Sequence, residues 1–432
     1  MPGMMETVLN VGLSQDAIPG LVRLTGNPRL AFDCRRRLLE PFAQVVHGAP
    51  LEPFEAIVAE RLRRDQLSYP HQLDTDALHE IASATLAHYE VATGKAFRED
   101  PIRQLMATIE AVLKSWSSDR AKSYRRLNGL DDNSGTAVTV QAMVFGNAGP
   151  ASGSGVGFTL NPADGSNARY VDYLPNAQGE DVVAGRRNAF GASELERRAP
   201  AAYAALLTHR EVLEQAFGDM QDFEFTVEDG RLFMLQWRLG KRTPLAALRI
   251  AHDLVAEGLI SPQVALTQLE HVDIDKIETT ELMPAPSQHP IAKGVPASAG
   301  VVAGVVVLDP ARIAEVKSHG KPIILVREHA ETADIAAISQ SGGLITRFGA
   351  RTSHAAVVAR QLGKVCLVGC QDLTIDPSLR SCRFGDALVS EGDIISIDGG
   401  HGTIYAGAVP IEHRKPKDLL AEIHRWRKKL PA

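Results

Sequence analysis

Aromatic residues make up only 5% of this 432-residue sequence, and it holds only four cysteines. Without many rings, the cores must rely on Leu, Val, Ile and Ala. Four cysteines at this length exclude a disulfide framework. Cys366 and Cys370 share the apolar run Cys366-Leu367-Val368-Gly369-Cys370, which lacks further ligand-like neighbours and reads as buried thiols rather than a metal or redox pair. An excess of positive charge is also missing. The formal net charge of -6 gives no general attraction to nucleic acid or to an anionic membrane, although Arg35, Arg36 and Arg37 form a local basic cluster. No signal-peptide pattern opens the sequence and no apolar run is long enough to span a bilayer, so the cytoplasm is the expected compartment. Neither an internal repeat nor a low-complexity tract is present.

The length calls for two or three domains. From 14 to 127 the texture is helical, with Leu21, Leu24 and Leu38-Leu39 spaced for one apolar face and Ile102, Leu105, Ile109 and Leu113 for another. Residues 134–240 read as a mixed sheet. The β-branched run Thr136 to Val144 predicts a strand, a glycine-rich loop follows from Gly146 to Gly157, and Val156 to Thr159 predicts another strand. Phe223 to Val227 and Arg231 to Gln236 flank Glu228-Asp229-Gly230 as a hairpin. Residues 241–290 read as a helical segment followed by a linker, Pro284-Ala285-Pro286-Ser287-Gln288-His289-Pro290. Residues 291–408 alternate short apolar strands with glycine turns around one helix, Ser353 to Leu362, and 409–432 form a basic helical tail or linker with a solvated face. The fold class expected is therefore a multidomain mixture of α/β and α+β. His401 reads as a turn residue and Trp116 as helix packing.

The most informative segment runs from Gly342 to Arg360, where a strand ends in a glycine-bearing loop and a helix starts at Thr352 or Ser353. Either residue suits an N-cap, since its hydroxyl can accept an orphan amide hydrogen. His354 then falls in the first turn. Free amides and the positive end of the helix dipole disfavour an imidazolium there, which keeps the ring neutral and nucleophilic. A phosphoryl group on its nitrogen would meet donors from Arg351, Thr352 and Ser353. Taken alone, a histidine at a helix start is more often structural, and Asp222 and Glu224 read as same-face strand residues facing solvent.

The string Thr352-Ser353-His354-Ala355-Ala356-Val357-Val358-Ala359-Arg360 resembles the phosphohistidine segment of the pyruvate phosphate dikinase and phosphoenolpyruvate synthase family. The resemblance extends to Met1-Pro2-Gly3-Met4-Met5-Glu6-Thr7, Val140 to Asn147, Asn176 to Gly185, Asp222 to Thr226, and Leu235-Gln236-Trp237-Arg238. It implies a partial ATP-grasp nucleotide-binding domain over 1–240, followed by a swivelling phosphohistidine domain over 291–408. It implies that His354 is phosphorylated from ATP, with Thr352 beside the phosphate. It assigns Asp222 and Glu224 to Mg²⁺, and Gln141, Met143, Val144, Glu180, Gln236 and Arg238 to the nucleotide. Gln141 to Val144 would meet adenine, and Gly153-Ser154-Gly155 would approach the phosphates. Carboxylates are suitable hard ligands for Mg²⁺, and Arg238 suits charge that builds during transfer.

The implied partners are ATP, phosphate and an acceptor, either pyruvate (phosphoenolpyruvate in reverse) or another molecule, held on a separate domain or chain. Nucleic acid and membrane are not expected, and a homo-oligomer is compatible. The resemblance begins inside the family pattern, after the lobe that supplies a glycine-rich stretch and an ATP-binding lysine, and stops near Leu430, before the acceptor-binding barrel. Leu160-Asn161 stands where the family usually has Arg-Asp, and Ala350-Arg351 where Gly-Met is common. Three functions are therefore weighed: an ATP-dependent phosphotransferase component, a phosphohistidine carrier charged in trans, and an inactive or regulatory remnant of a split gene.

Overall fold

The computed structural model describes residues 5–127, 129–184, 187–313, 315, 320–330 and 334–429; the side chains of Arg120, Ser123, Leu127, His354 and Ala355 fall outside that description. So do Met1 to Met4 of the opening motif and Gly185 of the Asn176–Gly185 string. The chain divides into two units, 1–148 and 149–432.

The first unit is built from helices α1 (Ile18–Thr25), α2 (Pro28–His47), α3 (Glu52–Arg64), α4 (Thr75–Thr93), α5 (Pro101–Ser115) and α6 (Asp119–Leu127). Their ends are written locally. The Asn27, Asp74 and Asp100 side chains accept amide hydrogens of the first turns they precede, and Gly26, Gly48 and Gly94 close α1, α2 and α4 in the left-handed region. The buried faces differ from the expected ones. Leu24 is 82% exposed and Ile102 67% exposed, while α5 turns Gln104, Thr108 and Ser115 inward. Backbone demand explains this. The Gln104 carbonyl accepts from the Gly12 amide at 2.9 Å and its NH₂ donates to the Arg98 carbonyl at 2.6 Å, so this face is committed to satisfying buried peptide groups.

The arginine cluster is also internal rather than a surface patch. Arg36 and Arg37 pair with Asp33 at 3.0 and 3.1 Å, and Asn147 donates to the same carboxylate at 2.7 Å. Burial alone would raise the Asp33 carboxyl, but Arg37 and Arg36 outweigh it and hold the group well below the usual carboxylate range. Trp116 lies under the Arg125 guanidinium at 4.1 Å. Thr136 to Val144 is not a strand: among the described residues no neighbour pairs with it, and Val140 is exposed. β-propensity describes fit to a half-buried surface and supplies no partner.

The second unit opens with a four-stranded antiparallel sheet in the order β2-β1-β3-β4, made of β1 (Gly153–Phe158), β2 (Tyr170–Pro175), β3 (Gln221–Glu228) and β4 (Arg231–Leu239). Three short or medium helices, α7 (Gly179–Val183), α8 (Ala192–Arg198) and α9 (Pro200–Phe217), lie between β2 and β3. The expected hairpin forms, with Asp229 and Gly230 both at positive φ in the turn. The expected phosphate loop does not. Gly153-Ser154-Gly155 belongs to a central, fully buried strand. Gly153, Gly155 and Gly157 leave room for the rings of Tyr173, Phe225 and Phe223, and a Cβ on Gly157 would stand 2.7 Å from the Phe223 ring. These glycines serve ring packing.

Helices α10 (Pro244–Ala256) and α11 (Pro262–Gln268) and strand β5 (Thr279–Leu282) follow. The chain then enters an eight-stranded sheet of order β6-β16-β15-β8-β9-β10-β11-β7. Its strands are β6 (Ala292–Lys293), β7 (Val295–Ser298), β8 (Val301–Val307), β9 (Ile323–Arg327), β10 (Gly343–Thr346), β11 (Val365–Val368), β15 (Ile394–Asp398) and β16 (Thr403–Ala406). β8 to β11 run parallel, and the outer pairings are antiparallel. One face packs on α12 (Ile335–Gln340) and α13 (His354–Gln361) through Ile338, Ala356 and Ala359. The other is covered by the small sheet β12 (Leu373–Asp376), β13 (Ser381–Phe384) and β14 (Ala387–Ser390) through Leu373, Cys382 and Phe384. Burial on both faces explains the unbroken Val/Ile/Leu runs. All four cysteines are free and buried; burial pushes the Cys34, Cys366 and Cys382 thiols up to about 12 and Cys370 to about 11.

The tail is not a solvated linker. β17 (Ile411–Arg414) pairs with β5, and α14 (Lys417–Lys429) buries Leu420, Ile423 and Trp426 against Leu248, Ala251 and Leu269 of the helices that precede the eight-stranded sheet. Chain entry to and exit from the eight-stranded sheet are thereby joined in one core. Trp426→Ala should cost about 3–5 kcal/mol in urea unfolding of the second unit, against about 0.5 or less for the exposed Lys428→Ala. Equal costs would mean that the tail is not part of the core.

Candidate functional site

Cross-strand register gathers the candidate residues on one face of the four-stranded sheet. Asp222 and Glu224 alternate with Phe223 and Phe225 on β3, so the carboxylates point away from the aromatic core shared with α8 and α9. Glu224 lies opposite Gln236 and Asp222 opposite Arg238 on β4. On the other side, Val156 separates Glu224 from Asp172, and Phe158 separates Asp222 from Tyr170. Asp172 and Glu224 are thus two strand spacings, about 10 Å, apart.

Arg238 Nε donates to Asp222 Oδ2 at 2.8 Å, and its Nη2 approaches Glu224 Oε1 at 3.7 Å. Asp222 Oδ1 is buried with no hydrogen-bond partner among the described residues. Burial raises the Asp222 and Glu224 carboxyls above their ordinary values, outweighing the opposing pull of Arg238. The residues present fit Mg²⁺ shared with a polyphosphate. They offer two hard oxygen donors, one of them orphaned, beside the amide of Gln236, and Mg²⁺ commonly takes one or two carboxylates and completes its shell with phosphate and water. Among the described residues no group of three or more His, Cys, Asp or Glu side chains forms a closed cage.

The histidine segment meets this same sheet. His354 is the first residue of α13, with Ser353 as N-cap in extended conformation. The cap differs in detail from the expected one, because the Ser353 hydroxyl makes no capping hydrogen bond. Thr352 instead donates both its amide and its hydroxyl to Asp172 Oδ2, each at 2.9 Å. Arg351 donates from Nε to Asp172 Oδ1 at 3.0 Å and from Nη2 to the Val171 carbonyl at 2.7 Å, with its guanidinium 4.3 Å from the Tyr170 ring centre. Arg360, one turn and a half along α13, donates to the Tyr170 hydroxyl at 3.1 Å and to the Ala297 carbonyl.

Of the residues singled out in the sequence, the second unit brings together Asp222, Glu224, Gln236, Arg238, Arg351, Thr352 and Ser353. Glu180 lies half-buried in the first turn of α7, a helix that packs through Val182 on Val156, the residue between Asp172 and Glu224 in the register of that face. Gln141, Met143 and Val144 belong to the first unit, in the unpaired stretch, with Gln141 exposed and the other two half-buried. His401 sits on a turn as expected; its imidazole contacts Asp398 at 2.9 Å, and that hydrogen bond and charge raise its pKa. Sequence reasoning missed Asp172 and Tyr170. The available signal was a single acid in an otherwise apolar and aromatic strand, Tyr170-Val171-Asp172-Tyr173-Leu174, since a carboxylate is rarely fully buried unless paired.

Two family models match the chain: pyruvate phosphate dikinase, AMP/ATP-binding domain, over residues 1–190, and PEP-utilising enzyme, mobile domain, over residues 320–402. Pyruvate, phosphate dikinase of Clostridium symbiosum is 41% identical over 431 residues, covering 99% of this chain and 49% of that protein. The Giardia intestinalis dikinase is 42% identical over 432 residues, with the same shares. The chloroplastic dikinase 1 of Arabidopsis thaliana is 40% identical over 409 residues, covering 94% of this chain and 42% of that protein. The chain is a relative of the pyruvate phosphate dikinases and spans about half the length of those it matches.

A raised carboxyl binds more protons folded than unfolded, so it costs stability as pH rises from its ordinary value, 4.5 for Glu224, through its folded value. Glu224→Gln should therefore gain stability at pH 7. The gain should vanish below the ordinary carboxylate range, where the native side chain is also neutral. Urea midpoints measured from pH 3.5 to 8 (roughly the span needed) check this, and a pH-independent gain would contradict it.

Proposed function

We propose that this chain, which carries the AMP/ATP-binding and mobile domains of the pyruvate phosphate dikinase family, is a dikinase-type phosphotransferase component acting through His354. The neutral imidazole attacks the β-phosphorus of ATP and AMP departs, leaving a pyrophosphoryl group on nitrogen. Phosphate then takes the terminal phosphoryl group as pyrophosphate. The remaining phosphohistidine passes its group to an acceptor, pyruvate or another, bound on a partner chain.

The observation that carries this reading is the attachment of Arg351 and Thr352 to Asp172, on the sheet face that also bears Asp222 and Glu224. His354 follows two residues after Thr352. In-line transfer needs little covalent help from the protein, and catalysis rests on positioning and on neutralising charge. Gln236 and Arg238 would orient the polyphosphate, with Arg238 set against charge building on the departing AMP. Asp222 and Glu224 would hold Mg²⁺, which supplies bridging positive charge to the phosphates when bound.

A second reading, the carrier charged in trans without ATP, draws support from Gly153-Ser154-Gly155. Those glycines lie under aromatic rings in a buried strand and do not form a phosphate cradle. Calorimetric titration with Mg-ATP separates the readings, since such a carrier gives no heat of nucleotide binding.

ATP labelled at its β-phosphate, supplied with Mg²⁺ and a dikinase polypeptide carrying the remaining domains, should place alkali-stable, acid-labile label on this chain. His354→Ala should reduce it to background. A His354→Ala chain that labels as well as the native one would end the proposal.

A further inference from the structure

We propose that helix α5 is a self-pairing surface, on which a second copy of this chain docks its own α5 in the antiparallel direction. The proposal goes beyond the phosphotransferase reading and does not rest on it. Its starting point is an inverted helix. Gln104, Thr108 and Ser115 point into the first unit, whereas on the opposite side Ile102 and Met106 are 67% and 60% exposed, Leu113 is 45% exposed and Ile109 is half-buried. At about 100° per residue these four side chains fall within about 60° of one another, with the half-buried Leu105 and Val112 along one edge. None of the six joins the apolar clusters that the described residues of the first unit form. An apolar stripe this continuous on the solvent side of a helix marks an interaction surface.

The spacing of the stripe selects its occupant. Steps of four, three and four residues are those of a coiled-coil seam, with Ile102 and Ile109 at d positions and Met106 and Leu113 at a positions. That pattern reads the same in both directions. Two copies related by a two-fold axis across the seam therefore set Ile102 against Leu113 of the second copy and Met106 against Ile109, and each contact occurs twice.

The edges agree with that direction. The e positions on one side of the seam hold Arg103 and Glu110, both exposed. Antiparallel pairing places Arg103 of each copy opposite Glu110 of the other, and such flanking ion pairs set orientation in coiled coils. The g positions on the other side hold Leu105 and Val112, which meet each other and widen the apolar contact. A parallel pair would instead bring Glu110 to Leu105. At present Arg103 only approaches Asp100, at 3.9 Å, and Glu110 bonds Lys114 at 2.6 Å; exchanging such exposed pairs costs little. The 15 residues of α5 span about 22 Å. A seam of that length is smaller than a stable dimer needs, so the pairing belongs to the weak, reversible class, with a dissociation constant on the order of 10 to 100 μM.

Sedimentation velocity of the full chain over roughly 1 to 500 μM should show monomer passing into dimer. Met106→Glu, which sets a charge in the seam, should weaken the dimer by about tenfold or more and leave the melting transition of the first unit unchanged, because the side chain is exposed. Arg103→Glu alone and Glu110→Arg alone should each weaken it by about 3- to 10-fold, and the two together should restore it. Direction is tested by cross-linking, with the four native cysteines buried. An Ile102→Cys chain mixed with a Leu113→Cys chain should form a disulfide faster than either chain alone, since antiparallel pairing holds like positions about 16 Å apart. Faster cross-linking of each chain with itself would overturn the antiparallel pairing. So would a native chain that stays monomeric throughout, or a dimer indifferent to Met106→Glu and to both charge reversals. If the native chain stays monomeric and Met106→Glu abolishes its binding to a dikinase polypeptide carrying the remaining domains, the face belongs to that partner and the second-copy assignment falls.

Discussion

The Asp172 carboxylate is 3% exposed, and a buried charge persists only where partners compensate its lost hydration. Here the partners are Arg351 and both donors of Thr352. They come from the one loop that leads into the His354 helix. The need of this single acid for donors therefore fixes which part of the eight-stranded domain faces the four-stranded sheet. The proposed phosphoryl transfer depends on that orientation. An apolar residue at 172 would leave the Thr352 hydroxyl and the guanidinium without their acceptor, and nothing else in 170–175 offers a carboxylate.

The sheet beneath is adapted to carry charge on one face only. Gly153, Gly155 and Gly157 sit opposite the rings of Tyr173, Phe225 and Phe223, so the aromatic layer presses close to the strand β1 backbone. Tyr173, Tyr203, Phe223 and Phe225 make the far face dry. That leaves Asp172, Asp222, Glu224 and Arg238 on the near face, with polar partners drawn from the strands and from the histidine domain. Raised carboxyl values at Asp222 and Glu224 record the cost of this arrangement.

What the sequence made legible follows from how local each feature is. The start of the His354 helix, the Asp229-Gly230 hairpin and the apolar parallel strands are set within a few residues, by caps, turn chemistry and burial on both faces. Tertiary pairings were not legible. Thr136 to Val144 has the composition of a strand and lacks a neighbour. The glycine run looks like a phosphate loop because sequence does not reveal which rings lie across it. The face of α5 was misread because Gln104 is committed to the Gly12 and Arg98 peptides. The basic tail looked solvated although Leu420, Ile423 and Trp426 recur at three-residue spacing, a stripe that the surrounding lysines and arginines mask. Asp172 was overlooked since its meaning lies in a loop 179 residues away.

Charge balance gives the last constraint on how such a site could work. On and above the near face, three acids (Asp172, Asp222 and Glu224) stand against three arginines (Arg238, Arg351 and Arg360), each arginine already bonded to an acid, a hydroxyl or a carbonyl. Among the described residues, these pairs offset one another and leave no surplus positive charge of their own to attract a polyphosphate. An incoming nucleotide must therefore bring its own cation, or displace an existing pair. Displacing Arg238 from Asp222 is the less costly exchange, because Arg238 is one-third exposed whereas Arg351 is largely buried. Freed from Asp222, Arg238 would turn to the phosphates, and Asp222 and Glu224 would hold a divalent ion whose charge offsets theirs. The same exchange would leave Asp172 and its three donors untouched, keeping the histidine loop in place while the nucleotide side rearranges.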